Sequence, residues 1–426
     1  MKTLIKNGLV VDPANGLKEV RDILMEDGKI SNLSKEIRVK ADLVIEAVGK
    51  VIIPGLVDMH VHLREPGRED KENISSGTNA ALKGGVTSVL AMPNTIPAID
   101  SKENVLLLKS ILGKGAKIEV LISGAITKGR QGKELADFSA MKQEGVVAIT
   151  DDGASVDDEG LFLKALQKAK KEELLVICHS EDKELSGHGV INRGFIATRM
   201  GLRGISNESE YLRVKRDIRL AQESGARIHI AHVSCRESVE LIAAAKKTGI
   251  LVTAETAPHY FALTEKDVLG YDTNMKMNPP LRSEADLLAI KEGLKNGTID
   301  AIASDHAPHT EYEKDIEFDR AEFGVIGLET ELSVAITELL ETGILDWFGL
   351  VEKLSLNPAK ILGLDKGTLS LGQFANLGGV DPSREWAVKK EGFLSKSKNS
   401  AFLGRRLKGV VEYTFCAGEL AYKHPG

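Results

Sequence analysis

The residues best able to do chemistry in this chain are histidines and aspartates that close short apolar runs. His60 and His62 stand two apart at the end of the run Leu56-Val57-Asp58-Met59-His60. Side chains alternate across a strand, so both imidazoles face one way, and Asp58 shares that face one layer deeper as a possible outer partner. Asp151-Asp152-Gly153, His179, His232 and Asp305 each follow a further apolar run. Four imidazoles and at least two carboxylates form a donor set that suits zinc. Six ligand positions exceed what one tetrahedral zinc with an open position takes up. Two ions sharing a bridging carboxylate fit better, about 3.5–4 Å apart with a hydroxide clamped between them. The spacing does not choose between Asp151 and Asp152. A lone histidine is more often a satisfied structural residue, so the argument rests on recurrence at run ends. His229 breaks the alternation before His232 and reads as structural, and Cys178 and Cys235 read as small buried residues.

These side chains converge only if the runs are strands of one closed sheet. There are eight such runs: Leu56–His60, Val86–Met92, Ile118–Ile122, Val146–Thr150, Leu174–Cys178, Ile228–Ala231, Ile250–Ala254 and Ile299–Ala303. Segments of helical spacing lie between them, such as Leu161, Leu163, Ala165 and Leu166, or Val239, Leu241, Ile242 and Ala245. Strand–helix alternation implies parallel strands joined by right-handed crossovers. Eight repeats predict an α/β fold, a (β/α)8 barrel of the TIM type, whose chemistry sits at the C-terminal strand ends. An open doubly wound sheet would instead spread the polar residues along an edge.

The barrel is expected over residues 56–365. Residues 1–55 read as short strands with a turn at Asp12-Pro13 and a hairpin at Asp27-Gly28. Residues 366–426 have the same texture, with strand-like Val410–Phe415 and Leu420–Tyr422, so the two ends are expected to pair into one small β-sandwich.

Composition narrows the partners. The net charge is −6 with both signs interspersed, which argues against nucleic acid. No run approaches about 18 apolar residues, so no membrane span is expected. Three cysteines without a CxxC pair point to reduced, cytoplasmic chemistry, and the N-terminus does not read as a signal peptide.

Longer motifs carry a resemblance. Asp58-Met59-His60-Val61-His62-Leu63-Arg64-Glu65-Pro66-Gly67 resembles the dihydroorotase signature of the amidohydrolase superfamily. So do Met92-Pro93-Asn94-Thr95, Thr150-Asp151-Asp152-Gly153, Glu255-Thr256-Ala257-Pro258-His259-Tyr260, Asn278-Pro279-Pro280-Leu281-Arg282 and Ser304-Asp305-His306-Ala307-Pro308-His309. The likeness runs from about residue 3 to 423 in the family's order. It implies two zinc ions, with Asp152 as the bridge where many relatives use a carboxylated lysine. One ion would take His60, His62, Asp152 and Asp305, and the other Asp152, His179 and His232. Arg64, Asn94 and His309 match residues that hold the substrate's α-carboxylate, beside the ligand His62. Asn278 matches an amide-recognising residue, and Phe323-Gly324 a stretch whose backbone contacts the ring.

The activity implied is reversible cyclisation of N-carbamoyl-L-aspartate to (S)-dihydroorotate, a step of pyrimidine biosynthesis, with Asp305 as general acid and base. The nearest alternatives are a hydantoinase- or allantoinase-type cyclic amidohydrolase and a non-catalytic dihydroorotase-like subunit. The resemblance also implies a homodimer, and association with aspartate carbamoyltransferase in some relatives. One departure stands out: in Phe374-Ala375-Asn376-Leu377-Gly378-Gly379-Val380, Asn376 replaces the family's aspartate, and the glycines are expected to interrupt the strand.

Overall fold

The structure, a computed structural model, describes residues 2–425. All eight apolar runs form strands. In chain order they are Leu56–Val61, Val86–Ala91, Glu119–Gly124, Val146–Ile149, Leu175–Cys178, Ile228–Ile230, Val252–Thr256 and Ala301–Ile302. Each pairs in parallel with the next, so spatial order follows sequence order. The last strand is short, and the barrel closes through an isolated bridge between Val61 and His306. The His62 amide donates to the His306 carbonyl at 2.9 Å across this seam. The Asp58 carboxylate reinforces it, accepting from the amides of His60 at 3.1 Å and Ser304 at 3.2 Å. Asp58 thus supports His60 through its backbone and joins the first strand to the last.

The helices follow ordinary local rules. Asp158 caps the helix Glu159–Lys171 by accepting from the Leu161 amide, and Lys168, Lys170 and Lys171 lie in its last turn against the carbonyl end of the dipole. Its buried face is Phe162, Ala165, Leu166 and Ala169, at helical spacing. That face is rotated from the expected one: Leu161 and Leu163 are only partly buried, because Phe162 takes the seat against the barrel. Full burial of a Phe or Leu contributes about 1.5–3 kcal/mol. Among the described residues no helix is long and apolar enough to cross a membrane.

The chain ends share an eight-stranded mixed sheet separate from the barrel. Lys2–Asp12 pairs antiparallel with Leu17–Glu26, and Val51–Pro54 pairs antiparallel with Leu377–Ala387. The sheet has its own core, which includes Ile5, Val10, Ile23, Ile52, Leu377 and Phe415. The expected interruption at the glycines is not found, since Leu377–Ala387 runs through them with two register shifts. Gly379 faces the Tyr413 ring so closely that a Cβ there would lie 2.2 Å from it, so the aromatic covers the glycine backbone. Asn376 Oδ1 accepts from the Ala417 amide at 2.8 Å.

Between the strands Leu377–Ala387 and Arg406–Cys416, the chain leaves this sheet and returns to the barrel. Phe393 and Phe402 join the large barrel core, and Ser395 Oγ and the Lys396 amide donate to the buried carboxylate of Glu72. This arm reaches the loops at the barrel mouth, where it meets the candidate site.

Candidate metal centre

The barrel brings together all six residues that the spacing singled out. The Asp152 carboxylate lies among four imidazoles. Its Oδ1 is 3.3 Å from His60 Nε2, 3.5 Å from His179 Nδ1 and 3.6 Å from His232 Nε2, and its Oδ2 is 3.5 Å from His62 Nε2. Asp305 Oδ1 lies 3.4 Å from His62 Nε2 and 3.7 Å from His60 Nε2. Two groups have ligand atoms within 4.8 Å of one another: His60 with Asp152 and His232, and His60 with His62 and Asp305. His60 Nε2 and Asp152 Oδ1 are buried without hydrogen-bond partners, though they face each other. Buried polar atoms are normally paired, and orphaned nitrogen and oxygen donors pointing at one spot are what a cation site presents. The residues therefore fit a bound metal.

Asp151 and Asp152, which the spacing left open, take different places. Asp151 turns away and accepts from the amides of Ile126 at 2.8 Å and Thr127 at 3.0 Å and from the Thr127 hydroxyl at 2.5 Å. It pins a loop, while Asp152 faces the imidazoles.

The electrostatics match this crowding. Burial opposes the charge on Asp152, but His60, His179 and His232 outweigh it and hold its carboxyl well below the usual range. His60 is likewise buried, yet Asp152, Glu255 and Asp305 raise its pKa well above the ordinary value.

Outer carboxylates aim the rings. His60 Nδ1 meets Glu255 Oε1 at 2.8 Å, and the other oxygen of Glu255 is 3.2 Å from His229 Nε2. The two histidines overcome the burial of Glu255 and keep its pKa near about 2, so it stays ionised. His179 Nε2 lies 3.3 Å from Glu181, which also accepts from Asn278 Nδ2 at 3.1 Å. His62 Nδ1 lies 2.9 Å from Asn94 Oδ1; an amide oxygen only accepts, so Nδ1 carries the proton and Nε2 keeps its lone pair for the centre. Sequence reasoning missed Glu255 and Glu181 as orienting groups. Both signals were present: Glu255 directly follows the seventh run, and Glu181 stands two residues after His179.

The residues matched to the substrate carboxylate lie to one side. The Arg64 guanidinium donates from Nε to the Pro308 carbonyl at 3.1 Å, and its NH2 group lies 3.3 Å from His309 Nε2. Burial lowers the Arg64 pKa to about 10, which leaves it charged at neutral pH. His309 Nε2 is 2.8 Å from the Phe323 carbonyl. At Gly324, φ is 119°, and a Cβ would meet Ala307 at 2.7 Å, so only glycine passes there. Asn399, from the returning arm, accepts from the His309 amide and donates to the carbonyls of Ala307 and Gly324. Arg64, His232 and Asp305 all hold positive φ, at 61°, 37° and 49°. Such backbone costs on the order of 1–3 kcal/mol per residue and tends to gather at functional sites.

Comparisons with known proteins agree with this geometry. The family described as Dihydro-orotase-like matches residues 49–238. The dihydroorotase of Elusimicrobium minutum is 53% identical over 420 residues, covering 99% of this chain and 97% of that protein. The dihydroorotase of Pelotomaculum thermopropionicum is 49% identical, with 99% and 98% covered. Among solved structures, L-hydantoinase (dihydropyrimidinase) from Arthrobacter aurescens superposes with a TM-score of 0.89 at 27% identity, covering 98% of this chain and 95% of that one. Barrel and site define a metal-dependent cyclic amidohydrolase. Within that class, the chain belongs to the dihydroorotase family.

Proposed function

We propose that the chain interconverts N-carbamoyl-L-aspartate and (S)-dihydroorotate. The observation that carries this reading is the pair of nitrogen donors, Arg64 NH2 and His309 Nε2, 3.3 Å apart beside the imidazole–carboxylate cluster. A cationic guanidinium fork beside an imidazole edge suits a carboxylate, the group that distinguishes dihydroorotate from an unsubstituted ring. In this reading, His60, His62, Asp152 and Asp305 would hold one zinc ion, and Asp152, His179 and His232 would hold a second. Bound there, the ions would polarise the scissile amide carbonyl and make water acidic enough to attack near neutral pH.

The chain's own residues do the rest. Arg64, Asn94 and His309 hold the α-carboxylate, Asn278 reads the ring amide, and the Phe323–Gly324 backbone lies along the ring edge. In ring opening, Asp305 accepts the proton released by the attacking water. It then delivers that proton to the ring nitrogen as the carbon–nitrogen bond breaks. In ring closure the same carboxyl takes the proton from the ureido nitrogen and returns it to the departing water.

A positioned acid–base group contributes about 10²–10⁴-fold, so Asp305→Asn should lose at least about 100-fold in turnover in both directions. Near-normal turnover would remove Asp305 from this role. The reading as a whole is tested by comparing dihydroorotate, hydantoin and allantoin as substrates, with metal content measured on the same preparation. Preference for hydantoin or allantoin would overturn it.

A further inference from the structure

Lys71 is a buried cation with no task in this scheme. Lys71 follows the Asp58–Gly67 motif, and it is only 5% exposed, as is His309. Its Nζ lies 3.0 Å from His309 Nδ1 and 2.9 Å from Glu313 Oε1. Glu313 in turn pairs with Arg68 at 2.7 Å. The ammonium group only donates hydrogen bonds, so His309 Nδ1 must accept and cannot carry a proton. The proton of the neutral ring therefore sits on Nε2, which donates to the Phe323 carbonyl at 2.8 Å. Arg64 also only donates, so its 3.3 Å approach to Nε2 is two donors side by side.

We infer that Lys71 is a positioning residue for the carboxylate end of the substrate: it holds the His309 ring by Nδ1 so that Nε2 keeps its proton, which the Phe323 carbonyl and a substrate carboxylate beside Arg64 would share. This rests on the proposed function and assigns a residue that the family motifs left out. The alternative partner shows why the ammonium matters. Glu313 Oε2 is 3.7 Å from the same Nδ1. Without Lys71, the carboxylate of Glu313 would draw the proton to Nδ1. Nε2 would then be a bare lone pair facing the substrate's carboxylate. Glu313 thus has two effects: it keeps Lys71 charged, and it would mis-set the ring if Lys71 were absent.

The test begins with wild-type turnover of dihydroorotate. Its absence would sink the proposed function. With turnover established, Lys71→Met is compared with His309→Ala and with the double variant. Charge-assisted hydrogen bonds to a substrate carboxylate support an expected rise in KM of about tenfold for Lys71→Met, with kcat changed by less than about threefold. The double variant should resemble His309→Ala alone, because Lys71 acts through that ring. Wild-type KM in Lys71→Met, or effects that multiply in the double variant, would overturn the role of Lys71 and leave the proposed function standing. A loss confined to kcat would overturn it as well. If Lys71→Met does not fold, Lys71→Gln, which keeps a neutral donor, enters the same cycle. A smaller rise in KM that vanishes on the His309→Ala background is then expected, and independence from His309 overturns the inference.

Discussion

At the scale of single residues, the candidate centre depends on carboxylates that touch rings and not the reacting atoms. Glu255 is the clearest case, since one oxygen faces His60 Nδ1 at 2.8 Å and the other lies 3.2 Å from His229. An ionised partner at Nδ1 fixes the tautomer and makes Nε2 a stronger donor atom. Replacing such a partner typically costs 10–100-fold in metal affinity. Glu255→Gln should therefore weaken zinc binding by about that factor. Competition with a chelator of known affinity reads this directly, and unchanged affinity would show that His60 needs no such support.

At the scale of elements, the arm between Ala387 and Arg406 carries a role that its place in the chain does not suggest. It starts and ends in the terminal sheet, yet Asn399 ties the His309 backbone to the carbonyls of Ala307 and Gly324. A buried amide bridging three backbone groups holds two loops in register. Its loss strands the His309 amide and the Ala307 carbonyl, at about 1–3 kcal/mol for each one left unsatisfied, while the Gly324 carbonyl keeps Lys314. Asn399→Ala should thus lower stability by a few kcal/mol and raise KM for dihydroorotate more than it lowers kcat. Denaturant melts together with steady-state kinetics check both parts. A stability loss with unchanged KM would mean that the arm only braces the fold.

At the scale of the whole molecule, the two chain ends are joined by charge as well as by hydrogen bonds. Lys50 Nζ meets Asp381 Oδ2 at 2.5 Å, linking the N-terminal part to the strand Leu377–Ala387. Partial burial works against the Asp381 charge, but Lys50 and Ser383 overcome it and lower its pKa to about 2. A carboxyl with a depressed folded pKa adds stability above its unfolded pKa and loses it as pH falls through the folded value. Solvent screening leaves this contribution at about 1 kcal/mol at neutral pH, and it should fade between about pH 4 and pH 2. Urea midpoints of wild type and Asp381→Asn should differ at pH 7 and converge towards pH 2. A gap that persists in acid would assign the difference to packing.

Much of this organisation was legible in the one-dimensional pattern. Eight apolar runs with helical segments between them specify a barrel, because parallel strands need long crossovers and a closed sheet leaves no edge. The rule that barrel chemistry gathers at strand ends then selected His60, His62, His179, His232 and Asp305 from their positions alone. What the sequence could not decide were contacts between residues far apart in the chain. Asp151 and Asp152 are neighbours of one type, and only the loop amides that capture Asp151 separate them. Glycines at 378 and 379 predict a broken strand until Tyr413, 34 residues beyond Gly379, covers the backbone. Lys71 and Asn399 meet His309 across 238 and 90 residues. Local pattern determines which faces are apolar and where strands end. The proton on one imidazole is set by whichever distant charge the folded chain places against it.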